Sequence, residues 1–299
     1  MILVNFIRGF CMALADSVPG VSGGTIAFIL GFYDKFINSL GDLVSTKSSK
    51  KEKMDAIKFL IKIGIGWIIG FILAVLFISS LFEKHIYNIS SLFIGFIIFA
   101  IPLIIKEEKE EVAGKYKFLL FTLLGILLVS LITYFNPSST GEGLNLSIDK
   151  LSIGLIIYVF ISGMISISAM VLPGISGSTM LLIFGLYVPI INAIKETLHF
   201  NFKYLPILFI FGLGVITGIL STIKGLSYLL KKYRSQMIYL IIGLMIGSLY
   251  SVVMGPTTLT EPLSSMNISN INIIFFLIGG VLILGLEKIK NILEKNDDK

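Results

Sequence analysis

Residues 15–38 read ADSVPGVSGGTIAFILGFYDKFIN, and residues 169–192 read AMVLPGISGSTMLLIFGLYVPIIN. Set one above the other without a gap, they agree at 11 of 24 positions. The identities include Pro19/Pro173, Gly20/Gly174, Ser22/Ser176, Gly23/Gly177, Thr25/Thr179, Gly31/Gly185 and Tyr33/Tyr187. A run of small residues recurs by chance fairly often. One that continues into G-[FL]-Y and I-N at fixed spacing does not. The register persists further along: Gly64, Gly66 and Gly70 fall against Gly212, Gly214 and Gly218, and Gly95 falls against Gly243. The chain therefore divides into two homologous halves, 1–140 and 145–299.

Composition sets the solvent of both halves. Hydrophobic residues make up 55% of the 299, charged residues 14%, and the mean hydropathy is +0.94. A soluble domain is about a quarter charged, so this is a polytopic membrane protein. Its apolar runs are continuous, without the two-residue alternation of a barrel strand, so the fold class is all-α. The runs give ten segments: 2–15, 21–33, 57–82, 88–105, 117–135, 151–172, 175–194, 205–223, 236–254 and 271–287. The first two, and the sixth and seventh, form pairs split by a Pro-Gly-Ser break.

Five segments per half is an odd number, so the halves take opposite orientations. The same parity holds if the first pair is re-entrant and three segments span. The loops agree. Lysine and arginine number six over 34–58, four over 106–117, four over 224–235 and four after 287; the intervening loops hold Lys84, Lys150, Lys195 and Lys203. By the positive-inside rule the rich loops and both termini are cytoplasmic. The net charge of +6 thus reports topology and need not mean nucleic acid. Inverted repeats of this kind place a transporter's site at the repeat interface near the midplane. The segment 21–33 covers ~20 Å of a ~30 Å hydrocarbon core, so the first pair is expected to re-enter, its broken helices meeting those of the second half; the second pair stays open between re-entrant and spanning.

A polar, glycine-rich break in lipid must satisfy its backbone groups inside the protein or face a wet cavity. Pro19 and Gly20, with Pro173 and Gly174, form the turns. Ser22 or Thr25 can cap the outgoing helix, and the free amides and dipole at its start favour an anion. The candidate anion-binding residues are Ser22, Gly23, Gly24 and Thr25 with Ser176, Gly177, Ser178 and Thr179. Arg8 lies within an apolar segment, where an ionisable group costs ~2.5–3.5 kcal/mol on insertion scales. It either snorkels to the cytoplasmic surface or faces the cavity as a phosphate clamp. Asp16 abuts the break and can pair with Arg8, bind a coupling cation or take up a proton. Its counterpart is Met170, so the halves are not chemically equivalent. The competing reading of the motif is a tight hairpin with close helix packing.

Other chemistry finds little support. GVSGG echoes a serine-hydrolase nucleophile, but that needs a base and an orienting acid, and His85 and His199 both fall near membrane ends. The sequence shows no zinc-type Cys/His cluster, no Walker motif and no cofactor motif. Cys11 permits no internal disulfide and is expected to pack, as is Trp67. The N-terminus lacks the basic region and cleavage site of a signal peptide.

The first-half pattern GFCMALADSVPGVSGGTIAFILGFY and the second-half pattern LPGISGSTMLLIFGLY together resemble a bacterial membrane family, once a domain of unknown function, associated with polyprenyl-phosphate transport. The resemblance extends over the whole chain. It implies a non-enzymatic flippase of the bacterial cytoplasmic membrane that returns undecaprenyl phosphate, the lipid carrier of cell-wall synthesis, to the inner leaflet. Coupling to protons or sodium would fall first to Asp16. The alternatives are a channel or exchanger for a small inorganic anion, and a membrane-embedded enzyme acting on a lipid phosphate.

Overall fold

In a computed structural model, which describes residues 2–16, 22–74, 79–134, 152–258 and 262–297, the chain is all-helical. The first half contains α1 (Ile2–Asp16), α2 (Gly23–Ile29), α3 (Tyr33–Val44), α4 (Lys50–Leu73), α5 (Ser79–Glu107), the single turn α6 (Lys109–Val112) and α7 (Leu119–Tyr134). The second contains α8 (Ile153–Met170), α9 (Gly177–Ile183), α10 (Tyr187–Leu198), α11 (Leu205–Lys232), α12 (Arg234–Met254) and α13 (Ile273–Asp297). Among the described residues six helices are long and apolar enough to cross a membrane: α4, the part of α5 from His85, α7, α8, α11 and α12, the α7, α11 and α12 spans including flanking turn residues.

Two expected segments are broken by a glycine turn: 21–33 holds only the short α2 and ends where α3 begins, and 175–194 divides into α9 and α10. After α2, Gly31 takes a φ of 66° and the Phe32 amide donates back to Ala27 O at 3.0 Å. After α9, Gly185 takes a φ of 62° and the Leu186 amide donates to Leu181 O at 2.8 Å. Both are glycine caps in the left-handed region, which a side chain resists. The chain then restarts as α3, running into the stretch read as a basic loop. A second difference lies at α4, which begins at Lys50 and not at 57. Ser49 and Glu52 form a reciprocal capping box: the Glu52 amide donates to Ser49 Oγ at 3.2 Å, and the Ser49 amide donates to Glu52 Oε2 at 2.7 Å. That cap starts the helix a full two turns before its apolar run.

Packing follows the logic of membrane helices, small and polar residues inside and large apolar ones outside. On α7, Gly125, Val129 and Thr133 are buried while Leu120, Leu124, Leu127 and Leu131 are exposed. The close contacts recur at matched positions of the two halves. A Cβ on Gly66 would lie 2.0 Å from Phe6 O, and one on Gly214 would lie 2.2 Å from Phe160 O, so α1 crosses α4 as α8 crosses α11. Likewise a Cβ on Gly95 would lie 2.1 Å from Phe276 O and one on Gly243 would lie 2.1 Å from Thr122 O, so α5 holds α13 as α12 holds α7.

Two groups of helices result. One comprises α1, α4, α8 and α11 with the short helices α2, α3, α9 and α10; the other comprises α5, α7, α12 and α13. Each half contributes to both. The last helix of each half packs on a long helix of the other, α7 on α12 and α13 on α5. Between the groups, α11 touches α12, α2 touches α5, and Gly174 lies against the backbone of Leu244 in α12.

Candidate functional site

The two breaks meet. Ser22, fully buried, ends the first break as the N-cap of α2. Its Oγ accepts from the Gly24 amide at 3.1 Å and donates toward Met170 O and Leu172 O at 3.3 and 3.4 Å. Thr25 Oγ1 accepts from the Gly174 amide at 2.8 Å. Tyr33 donates from its hydroxyl to Val171 O at 2.9 Å. The carbonyls at the end of α8 have no partner further along their own helix, and the hydroxyls of Ser22 and of Tyr33 at the head of α3 satisfy them. The second break turns through Gly174 at a φ of 90°. Beyond it Ser176 and Ser178, both buried, share a hydrogen bond of 2.7 Å.

The start of α2 is occupied by the protein's own acid. Asp16 Oδ1 accepts from the Gly23 amide at 2.6 Å, and Asp16 Oδ2 accepts from Trp67 Nε1 at 2.9 Å. A carboxylate there matches the positive end of the helix dipole. A Cβ on Gly23 would stand 2.6 Å from Asp16 Oδ2, so a side chain there would displace the carboxylate. Arg8 is half-buried, about two turns before Asp16 on α1. Its Nη1 donates to Asn5 Oδ1 at 3.2 Å, and its guanidinium carbon lies 4.9 Å from the centre of the buried Phe32 ring. This is cation–π geometry.

The undecaprenyl phosphate translocase-like (VCA0040-like) family model matches residues 12–286. The chain belongs to this family. It is 37% identical over 291 residues to a polyprenyl-phosphate transporter of Staphylococcus aureus, covering 96% of each chain. It is 34% identical over 255 residues to a polyprenyl-phosphate transporter of Vibrio cholerae, covering 83% of this chain and 76% of that one. No solved structure matches the chain.

In this member of the translocase-like family the expected site residues fall into two sets. Asp16, Ser22, Gly23, Gly24 and Thr25 gather with Gly174 in one seam, against the carbonyls of Met170, Val171 and Leu172. Buried Ser176, Gly177 and Ser178 open α9 just beyond Pro173 and Gly174. Pro19, Gly20 and the side chain of Thr179 lie outside the described residues. Sequence reasoning missed three participants. Trp67, expected only to pack, does stack on Phe71 at 4.9 Å but also donates to Asp16. Tyr33 stood among the repeat identities, which was its only signal. Ser166 on α8 is buried, and its Oγ finds no partner among the described residues; no local pattern pointed to it.

Proposed function

We propose that this chain carries undecaprenyl phosphate across the bacterial cytoplasmic membrane, returning it toward the inner leaflet. The convergence of the two breaks in a chain of this family carries the reading. Two polar interruptions, 154 residues apart, meet by side-chain hydrogen bonds where a bilayer offers no water. The matched helix crossings, α1 on α4 with α8 on α11, support an inverted repeat of two halves. The lysine-rich loops support cytoplasmic termini.

In this reading the phosphate is held by Arg8 and by the groups of the two breaks, Ser22 to Thr25 and Ser176 to Thr179. Arg8 supplies a planar fork suited to phosphate oxygens. Asp16 gives the coupling. Its carboxylate already fills the anion position at the start of α2, so an arriving phosphate competes with it. A proton or a sodium ion that neutralises Asp16 would remove that competition, and cation and phosphate would then move together. The tail stays in the bilayer, so the carrier opens sideways to lipid.

The test is leaflet exchange of undecaprenyl phosphate by purified protein in liposomes, wild type beside Arg8→Ala. Saturable exchange that the variant loses is the expected result. Movement of a small inorganic anion without lipid exchange would replace the reading with an anion channel or exchanger.

A further inference from the structure

We propose that the Asp34–Arg234 ion pair is a releasable latch between the two helix groups. It narrows a cavity at the lysine-loop end of the protein, which widens when the pair parts. This rests on the transport reading for its purpose, though not for its test.

Arg234 is the first residue of α12, where the helix dipole disfavours a cation. Glu108 follows directly on the C-terminus of α5, where the dipole disfavours an anion. Neither charge serves its own helix. Together they compensate each other: Arg234 Nε and Nη2 reach the two oxygens of Glu108 at 3.1 and 2.6 Å. This fork lies inside one helix group, because α5 and α12 pack together. The remaining Nη1 extends to Asp34 Oδ2 at 2.7 Å. Asp34 belongs to the first turn of α3, in the other group, where the dipole already suits its charge.

Among the described residues the ion pairs are Lys115–Glu111, Arg234–Glu108 and Arg234–Asp34, and the last alone joins the two groups. Its two ends differ. Glu108 is 17% exposed and anchors the arginine, whereas Asp34 is 42% exposed and faces water. An exposed pair adds little net stability, so parting it costs little. The Glu108 fork meanwhile keeps Arg234 aimed for the return.

The pair itself lines the rim of a half-open cavity of about 260 Å³. Phe28, Gly31 and Tyr33 line it from the broken-helix side, and Glu107 and Glu108 from the other. Gly31 is the left-handed joint between α2 and α3. Turning at that joint would carry Asp34 away from Arg234 and widen the cavity toward the breaks.

The experiment places a cysteine at Phe28 in a Cys11→Ser background and follows its reaction with a membrane-impermeant maleimide from the lysine-loop side. A second chain carries Val129→Cys, buried between α7 and α12, as a reference site. Asp34→Asn should raise the labelling rate at position 28 about fivefold or more, leave position 129 unchanged, and return to the parent rate in Asp34→Glu. An unchanged rate at position 28 would overturn the latch. So would an equal rise at both sites, which would mean general loosening. No lipid substrate enters the assay. Failure of wild-type exchange would remove the transport reading and leave a labelling result standing.

Discussion

Tyr33 and Val171 stand 138 residues apart in the chain, and the tyrosine hydroxyl donates to the valine carbonyl at 2.9 Å in a fully buried contact. Val171 is the C-cap residue of α8, just before the second break. Tyr33→Phe keeps the ring against Phe28, 5.5 Å away, and removes the donor. The orphaned buried carbonyl should cost about 1–3 kcal/mol. Thermal unfolding in detergent should show a lower midpoint than wild type; an unchanged midpoint would mean the seam is not held by this bond.

Trp67 is the single tryptophan of the chain, and its indole N–H is bonded to Asp16. It therefore reports on the proposed coupling group without any label. Adding a polyprenyl phosphate should shift its emission in a saturable manner, and Asp16→Asn should diminish the shift. A flat titration at lipid concentrations that do bind would detach Trp67 and Asp16 from the substrate's path.

Much of this architecture was legible in the residues. Continuous apolar runs gave the helical membrane class, and the paired PG[VI]SG[GS]T motifs pointed to breaks that belong together. What escaped was of two kinds. The glycine cap at Gly31 and the capping box at Ser49–Glu52 are local signals, but hydropathy alone runs across the first and past the second. The partners of Asp16, Tyr33 and Arg234 are a different matter. Trp67 lies 51 residues from Asp16, and Arg234 lies 200 from Asp34. No periodicity encodes such a pairing, because it depends on how two helix groups settle against each other.

Two glycines of α4 separate packing from propensity. A Cβ at Gly66 would meet the Phe6 carbonyl at 2.0 Å, while one at Gly64 would meet nothing within 4 Å. Gly64→Ala should therefore be neutral or stabilising by roughly 0.5–1 kcal/mol, the helix-propensity gain. Gly66→Ala must push α1 from α4 and should destabilise by about 1–3 kcal/mol, as overpacking does. Detergent melting curves of the two variants should move in opposite directions or differ by that sum. Equal midpoints would refute the α1–α4 contact.

At the lysine-loop end, Glu111 accepts from the Ser235 hydroxyl and from Lys115, and both hold its carboxyl below the usual carboxylate range. A depressed carboxylate stabilises the fold above its unfolded value of roughly 4.3 and loses that contribution as pH falls through the lower folded value. Wild type should thus exceed Glu111→Gln in melting temperature at pH 7, with the gap closing below roughly pH 4. A gap that persists into stronger acid would assign the difference to shape and not to charge.

Ser22 and Ser176 occupy matched positions but do different work, so their alanine variants should part company. Ser22 caps α2 and donates to the carbonyls ending α8. Its loss removes a cap, worth about 0.5–2 kcal/mol, and leaves those carbonyls short of a donor. Ser176 bonds Ser178 within the same turn, a link that uses one of the pair's two hydroxyl hydrogens. Ser22→Ala should lower both transport and melting temperature. Ser176→Ala should lower transport with a much smaller thermal cost, since the role proposed for its hydroxyl is toward the phosphate. Exchange assays beside melting curves decide the matter. A Ser176→Ala protein with full exchange would confine the phosphate to the Arg8 side of the seam, and the second break would then serve packing alone.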